Sequence, residues 1–120
     1  MHKIFISYSS KNADWVKNWL VPKIEGQGVP AYVDYRDFEI GVPSVINMER
    51  AVEQCAKTIL VFTPDWVNSE WTQFEALMLQ TQDPIGLRKR ILPLMLAECQ
   101  LPPRLKIFTY ENLQFKIYNM

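Results

Sequence analysis

Residues 57–63 read Lys-Thr-Ile-Leu-Val-Phe-Thr, a run that is apolar almost without interruption. It is far shorter than the ~20 residues of a membrane-spanning helix. It also lacks the alternation of a strand with one wet face. A strand of this kind is covered on both sides, which is the habit of parallel sheets between layers of helices. The flanking sequence fits that frame. Residues 3–8 (KIFISY), 29–34 (VPAYVD) and 90–96 (RILPLML) are short runs rich in β-formers, and residues 107–110 (IFTY) suggest a short last strand. Pro93 has no N–H to give, which suits an edge strand or a bulge.

Between these runs the spacing turns helical. Trp15 and Trp19, and Val16 and Leu20, stand four apart, with Ile24 beyond. Pro22 falls inside that pattern and should kink the helix or end its regular part, and Gly26 and Gly28 terminate it. Residues 35–41 (YRDFEIG) read as a polar loop. Pro43-Ser44 opens a helix in which Val45, Met48, Val52 and Cys55 recur at three and four, to about Ala56. Thr63-Pro64-Asp65 then supplies a cap, a proline in the first turn and an acid for the helix dipole, and the helix reaches about Gln80. Strands alternating with helices predict an α/β open parallel sheet with helices on both faces.

The 120 residues carry thirteen basic and thirteen acidic side chains, so the electrostatic footprint of a nucleic-acid binder is missing. Arg88-Lys89-Arg90 reads as a solvated turn. No apolar run suits a membrane span or a signal peptide, and the chain is expected to be cytoplasmic. Its one histidine is His2, at the terminus. That excludes a Ser-His-Asp or Cys-His arrangement and a histidine-held metal; no metal site is expected. Cys55 and Cys99 are far apart and read as two reduced thiols.

In open α/β sheets ligands bind beyond the carboxyl ends of the strands, where the strand order reverses. That directs attention to residues 8–10, 34–41 and 63 onward. Gly26-x-Gly28-x-x-Ala31 matches a dinucleotide fingerprint only as a string, because it ends a helix instead of opening one. A phosphoacceptor receiver domain needs acids at the ends of the first and third strands, where this chain has Ser7-Tyr8-Ser9 and Phe62-Thr63-Pro64. On the following helix Val67, Trp71, Phe74 and Met78 form the apolar stripe, and Glu75 sits at its edge. A carboxylate there either reaches water or a cation, or serves a ligand at the strand ends. Tyr8 and Phe38 either stack on a ligand ring or cover the core.

Three boxes in order then make the chain resemble the Toll/interleukin-1 receptor (TIR) domain of the bacterial type, over essentially its whole length. They are residues 5–12 (FISYSSKN), 35–41 (YRDFEIG) and 63–75 (TPDWVNSEWTQFE), the last with Thr72 where the family often has cysteine. The resemblance implies a flavodoxin-like sheet of five parallel strands spanning residues 1–120. It also implies, as in many members, cleavage of NAD at the nicotinamide–ribose bond, with Glu75 catalytic and NAD as substrate, no cofactor being required. Trp71, Tyr8, Asp34, Phe38 and Glu39 map onto the family's nucleotide cleft, with Ser9 and Ser10 on its first loop. Self-association with other TIR domains, a role in anti-phage defence, and a non-catalytic adaptor as the alternative follow from the same likeness. The family's final helix is longer than residues 111–120 can supply, which implies a longer protein with a fused C-terminal sensor domain.

The chemistry is compatible with the inventory. An ordinary glycoside needs one acid to protonate the departing alkoxide and a second carboxylate. A pyridinium leaves as neutral nicotinamide and needs no proton. One ionised carboxylate that stabilises the oxocarbenium-like ribose and orients its hydroxyls would suffice.

Overall fold

The computed structural model describes residues 3–81, 87, 90–106 and 111–112. Five parallel strands, β1 (Ile4–Ser7), β2 (Ala31–Tyr32), β3 (Lys57–Phe62), β4 (Ile91–Met95) and β5 (Glu111–Asn112), form one sheet in the order β2-β1-β3-β4-β5. Ile4 lies beside Ala31 on one flank and beside Lys57 on the other. This is the flavodoxin-like order, and the reversal between β1 and β3 sends the flanking crossovers to opposite faces.

One face is covered by helix α1, residues 13–26. Its Val16, Leu20 and Val21 pack on Ile6, Val33, Ile59 and Val61. Pro22 does not end this helix. The ring of a helical proline clashes with the carbonyl four residues back, here that of Asn18, and its nitrogen has no proton to offer. The chain answers with a wide turn over Val16–Leu20, in which the Val21 N–H reaches the Val16 carbonyl five residues back, before ordinary helix resumes over Val21–Gly26. Gly28, at φ +85°, then turns the chain into β2.

The other face is covered by α3 (Ser44–Gln54), α4 (Pro64–Ser69) and α5 (Trp71–Gln80). Met48, Ala51, Val52, Trp66, Trp71, Phe74, Leu77 and Met78 bury against Phe5, Leu60, Phe62, Ile91 and Met95. Val45, expected in this stripe, is instead 37% exposed in the first turn of α3. The helix expected to run unbroken to Gln80 is two pieces. They meet at Glu70, whose φ of −106° bends the chain between them.

Other expectations need correction. Residues 29–34 contribute only two residues of strand, and Asp34 already belongs to a helical turn, α2 (Asp34–Asp37), inside the stretch read as loop. The turn forms because the Asp37 carboxylate accepts the Val33 N–H at 2.8 Å. β4 is not an edge strand, since it has neighbours on both sides, and its register with β3 runs through Pro93 without a bulge. The Thr58 N–H bonds to the Arg90 carbonyl and the Leu96 N–H to that of Phe62, so the even-numbered residues of β4 face β3. Pro93 is turned the other way, toward the side of β5, whose described residues pair with Leu94 and Met95. Its missing donor therefore removes no bond of the β3–β4 ladder. Residues 107–110, expected as the last strand, lie outside the described residues, as do 113–120 of the expected final helix; Glu111–Asn112 is strand.

Candidate functional site

Helix α4 begins as its sequence dictates. The Thr63 hydroxyl accepts the Trp66 N–H at 3.0 Å, and Pro64 fills the first position, where no donor is needed. This seats Trp66, fully buried, under the end of β1, where its indole N–H donates to the Ser7 hydroxyl oxygen at 3.0 Å. The bond ties the end of β1 to the helix after β3.

Beyond these ends lies a cleft of about 250 Å³, with Phe5, Phe38 and Met48 among its apolar walls and Ser7, Tyr8, Asp34, Glu70 and Gln73 among its polar ones. The Tyr8 hydroxyl donates to Asp34 Oδ1 at 2.6 Å, and the Tyr35 N–H reaches the same oxygen at 2.8 Å. Burial pushes the Tyr8 phenol well above its ordinary range. The hydrogen bond to Asp34 and the charges of Asp34 and Glu70 push it the same way, so it remains a neutral donor. Phe38 fills both roles left open for it, packing on Phe5 and Tyr32 at ring distances of 6.0 and 6.5 Å while also lining the cleft.

Three of the sequence-derived candidates, Tyr8, Asp34 and Phe38, thus come together, and the others lie elsewhere. Glu75 is on α5, in an ion pair with Arg104 at 3.2 Å. Trp71 is a core residue, 9% exposed and packed against Trp66 at 6.1 Å. Glu39 pairs with Arg50 at 2.8 Å and lines, with Asp34 and Phe38, a separate open hollow at the loop after β2. Ser9 is buried and accepts the Lys11 N–H at 3.3 Å, capping the turn that precedes α1, whereas Ser10 is exposed. Glu70 and Gln73 line the cleft although the sequence reading passed over both. Both stand inside the third box, Glu70 at the bend before α5 and Gln73 in the first turn of that helix.

The loop at residues 38–43 is built on one buried side chain. Asn47 accepts the Glu39 N–H at 3.0 Å and donates to the carbonyls of Glu39 and Val42 at 3.1 and 3.3 Å. Gly41, at φ +88°, makes the turn possible. The clamp holds Ile40 fully exposed at the tip, with Val45, Ile46 and Tyr35 partly exposed nearby.

No group of residues able to hold a metal occurs among those described, and no helix among them is long and apolar enough to cross a membrane. Cys55 and Cys99 are both free thiols.

The sheet order, with a cleft at its switch point and a clamped loop after the second strand, defines an open α/β domain of the flavodoxin-like class. The TIR domain family matches residues 4–117, and the chain belongs to that family. Human Toll-like receptor 1 is 39% identical over 71 residues, covering 59% of this chain and 9% of the receptor. Rat Toll-like receptor 4 is 33% identical over 104 residues, covering 83% and 12%. The chain therefore spans about a tenth of the length of these relatives. The TIR domain of the Toll-related receptor TRR-2 from Hydra magnipapillata superimposes with a TM-score of 0.82 at 28% identity, over 99% of this chain and 90% of that one. A metazoan TIR-STING receptor from C. gigas, solved with 2',3'-cGAMP, superimposes at 0.70 and 28% identity, over 89% of this chain and 33% of that one. These are animal proteins, so they establish the family without supporting the bacterial subtype.

Proposed function

We propose that this chain is a signalling module that works by association with other TIR domains, with the loop after β2 as its contact surface. The fully exposed Ile40 carries this reading. An isoleucine held in water by a loop that Asn47 clamps from beneath loses apolar hydration only when a partner covers it. Sedimentation of the wild-type chain should show concentration-dependent association. Ile40→Asp should shift it to monomer with far-UV circular dichroism and melting temperature unchanged. A wild type that stays monomeric, or a variant that associates equally well, would overturn the reading.

A second reading, NAD cleavage with Glu75 as the essential carboxylate, is favoured by the aromatic cleft that joins Tyr8, Asp34 and Phe38 at the switch point. It would make the chain an NAD-consuming effector of the kind used in anti-phage defence, with a fused sensor domain as trigger. Within one chain Glu75 faces Arg104 and is not among the residues lining this cleft, so the reading requires a rearrangement, such as one driven by association, to bring Glu75 to the bond. Nicotinamide release at associating concentrations, lost in Glu75→Gln, would support it. No release, or undiminished release by the variant, would remove it.

A further inference from the structure

Glu75 does not face water alone. Its Oε2 stands 3.2 Å from Nε of Arg104, a residue of the chain that follows β4. Residues 101–105 read Leu-Pro-Pro-Arg-Leu, and this short stretch is built to hold the guanidinium where it is. Each proline fixes its own φ, and Pro103 opens a single helical turn, residues 103–105, in which the Leu105 N–H bonds to the Pro102 carbonyl at 2.9 Å. Leu105 is fully buried, and Leu101 packs on the same core that holds Trp71 and Phe74 of α5. Two anchored leucines therefore fix the backbone of Arg104 relative to α5, although its side chain is 48% exposed.

A cation at this position has a definite sign of effect on the chemistry of the second reading. That bond breaks with positive charge growing on the ribose, and the carboxylate helps by its negative charge and by accepting from the ribose hydroxyls. A guanidinium on the same carboxylate takes up one of its oxygens, offsets its charge and sets a cation beside a cationic transition state. All three effects oppose the reaction. A cation that assisted by binding the NAD phosphates would belong away from the scissile bond, not on the carboxylate that works there. Arg104 stands where a cation restrains.

We propose that the Arg104–Glu75 pair is an autoinhibitory contact: the turn after β4 holds the working carboxylate in the lone chain, and the pair opens when Glu75 is brought to the cleft. The proposal rests on the second reading and adds to it the element that restrains the site. The restraint is graded. An ion pair between two partly exposed side chains is weak, so its release raises the rate by a small factor. Because free-energy costs add, that factor multiplies whatever rate the packing of α5 allows.

Nicotinamide release from NAD tests it, compared at protein concentrations that give the same assembled fraction by sedimentation. Arg104→Gln should release nicotinamide about two- to fivefold faster than wild type, with its melting temperature unchanged. Arg104→Glu should be at least as fast, and Arg104→Lys, which keeps the charge, should stay near wild type. Added salt screens the pair, so it should speed wild type and leave Arg104→Gln unmoved. Adding Glu75→Gln to Arg104→Gln should silence it. Equal or slower release by Arg104→Gln, or the same salt response in both, would overturn the autoinhibitory contact and leave the NAD reading standing; slower release is the mark of an arginine that binds substrate. A rise that survives in the double variant would overturn the assignment to Glu75. No release by wild type or any variant would remove the NAD reading and this proposal with it.

Discussion

Replacing the Asn47 amide by a carboxyl, Asn47→Asp, changes one heavy atom in the clamp beneath the loop after β2. The side chain is 4% exposed, and each of its atoms has an assigned task. Oδ1 accepts the Glu39 N–H, and Nδ2 donates to the carbonyls of Glu39 and Val42. In the variant the first bond survives, and the second oxygen faces two carbonyl oxygens. Two hydrogen bonds at about 0.5–1.5 kcal/mol each are lost, and a buried charge meets carbonyl dipoles with no donor to offset them. The expected loss is about 2–4 kcal/mol at neutral pH. Of the charged groups nearby, Arg50 is held at 2.8 Å by Glu39, whose own carboxylate adds repulsion. Burial and the facing carbonyls raise the introduced carboxyl's folded pKa above the unfolded value of about 3.9. A group raised in this way contributes its stability below the unfolded pKa and loses it as pH climbs through the folded one. When protonated it also regains one donor. Urea unfolding of wild type and variant at pH 7 and near pH 4 should therefore show a large gap in the first condition and a much smaller one in the second. An equal gap at both pH values, or one below about 0.5 kcal/mol at pH 7, would refute the clamp.

The remaining expectations concern the buried face of the site and the thiols. Ser7→Ala leaves the Trp66 indole N–H without its acceptor in a fully buried position, so urea unfolding should show a loss of about 1–3 kcal/mol; no loss would mean that water replaces the hydroxyl. Tyr8 has its phenol raised by burial and by Asp34, so its folded state is favoured up to the unfolded pKa near 10 and that contribution falls away as pH rises further. Burial raises the Tyr32 phenol as well, so absorbance at 295 nm should show wild type retaining tyrosines that ionise late in alkali, and Tyr8→Phe should shrink that late phase and leave the earlier one intact. Burial pushes the Cys55 thiol up to about 11; it raises Cys99 too, but Cys99 is only half-buried and so more accessible. A disulfide reagent at pH 8 should therefore modify Cys99 first and reach Cys55 only on unfolding, with peptide mapping to tell them apart.

The parts of the fold that could be read from sequence are those where burial fixes a period. Residues 57–63 announced β3, and the four- and three-residue spacing of Trp71, Phe74 and Met78 announced the buried face of α5. Local signals that compete with burial read less well. Pro22 carries the same steric penalty wherever it falls. Whether a helix ends or widens to absorb it depends on the apolar anchors at both sides, here Val16, Leu20 and Val21, which the sheet holds in place. Pro93 reads as an edge signal only until the ladder parity is known, and parity is a property of the partner strand. The α2 turn was missed because it rests on local side-chain bonds and no buried period: Asp37 and Asp34 accept the Val33 and Tyr35 N–H groups, and Arg36 donates to the Ala31 carbonyl.

The site shows the same division at finer grain. The third sequence box places a helix after β3, and with it a supply of carboxylates at the strand ends. Its register along that helix decides which of them meets the cleft, because each residue turns the side chain by about 100°. Two quantities set that rotation. The bend at Glu70 breaks the helix into two segments, so α5 does not inherit the orientation of α4. Trp71, Phe74 and Met78 then lock α5 against Trp66 and the sheet. With Phe74 fully buried, its neighbour Gln73 turns toward Tyr8 and Asp34 and Glu75 turns toward Arg104. Bringing Glu75 to the cleft would require rolling α5 about its axis and lifting the buried Phe74 and Trp71 off the sheet, at a cost on the order of several kcal/mol of apolar burial. A partner domain that covered α5 could offset that cost, and a lone chain has no means to do so. The packing of two aromatic side chains therefore holds Glu75 away from the cleft in a lone chain, whereas Glu70 is at the cleft without any rearrangement.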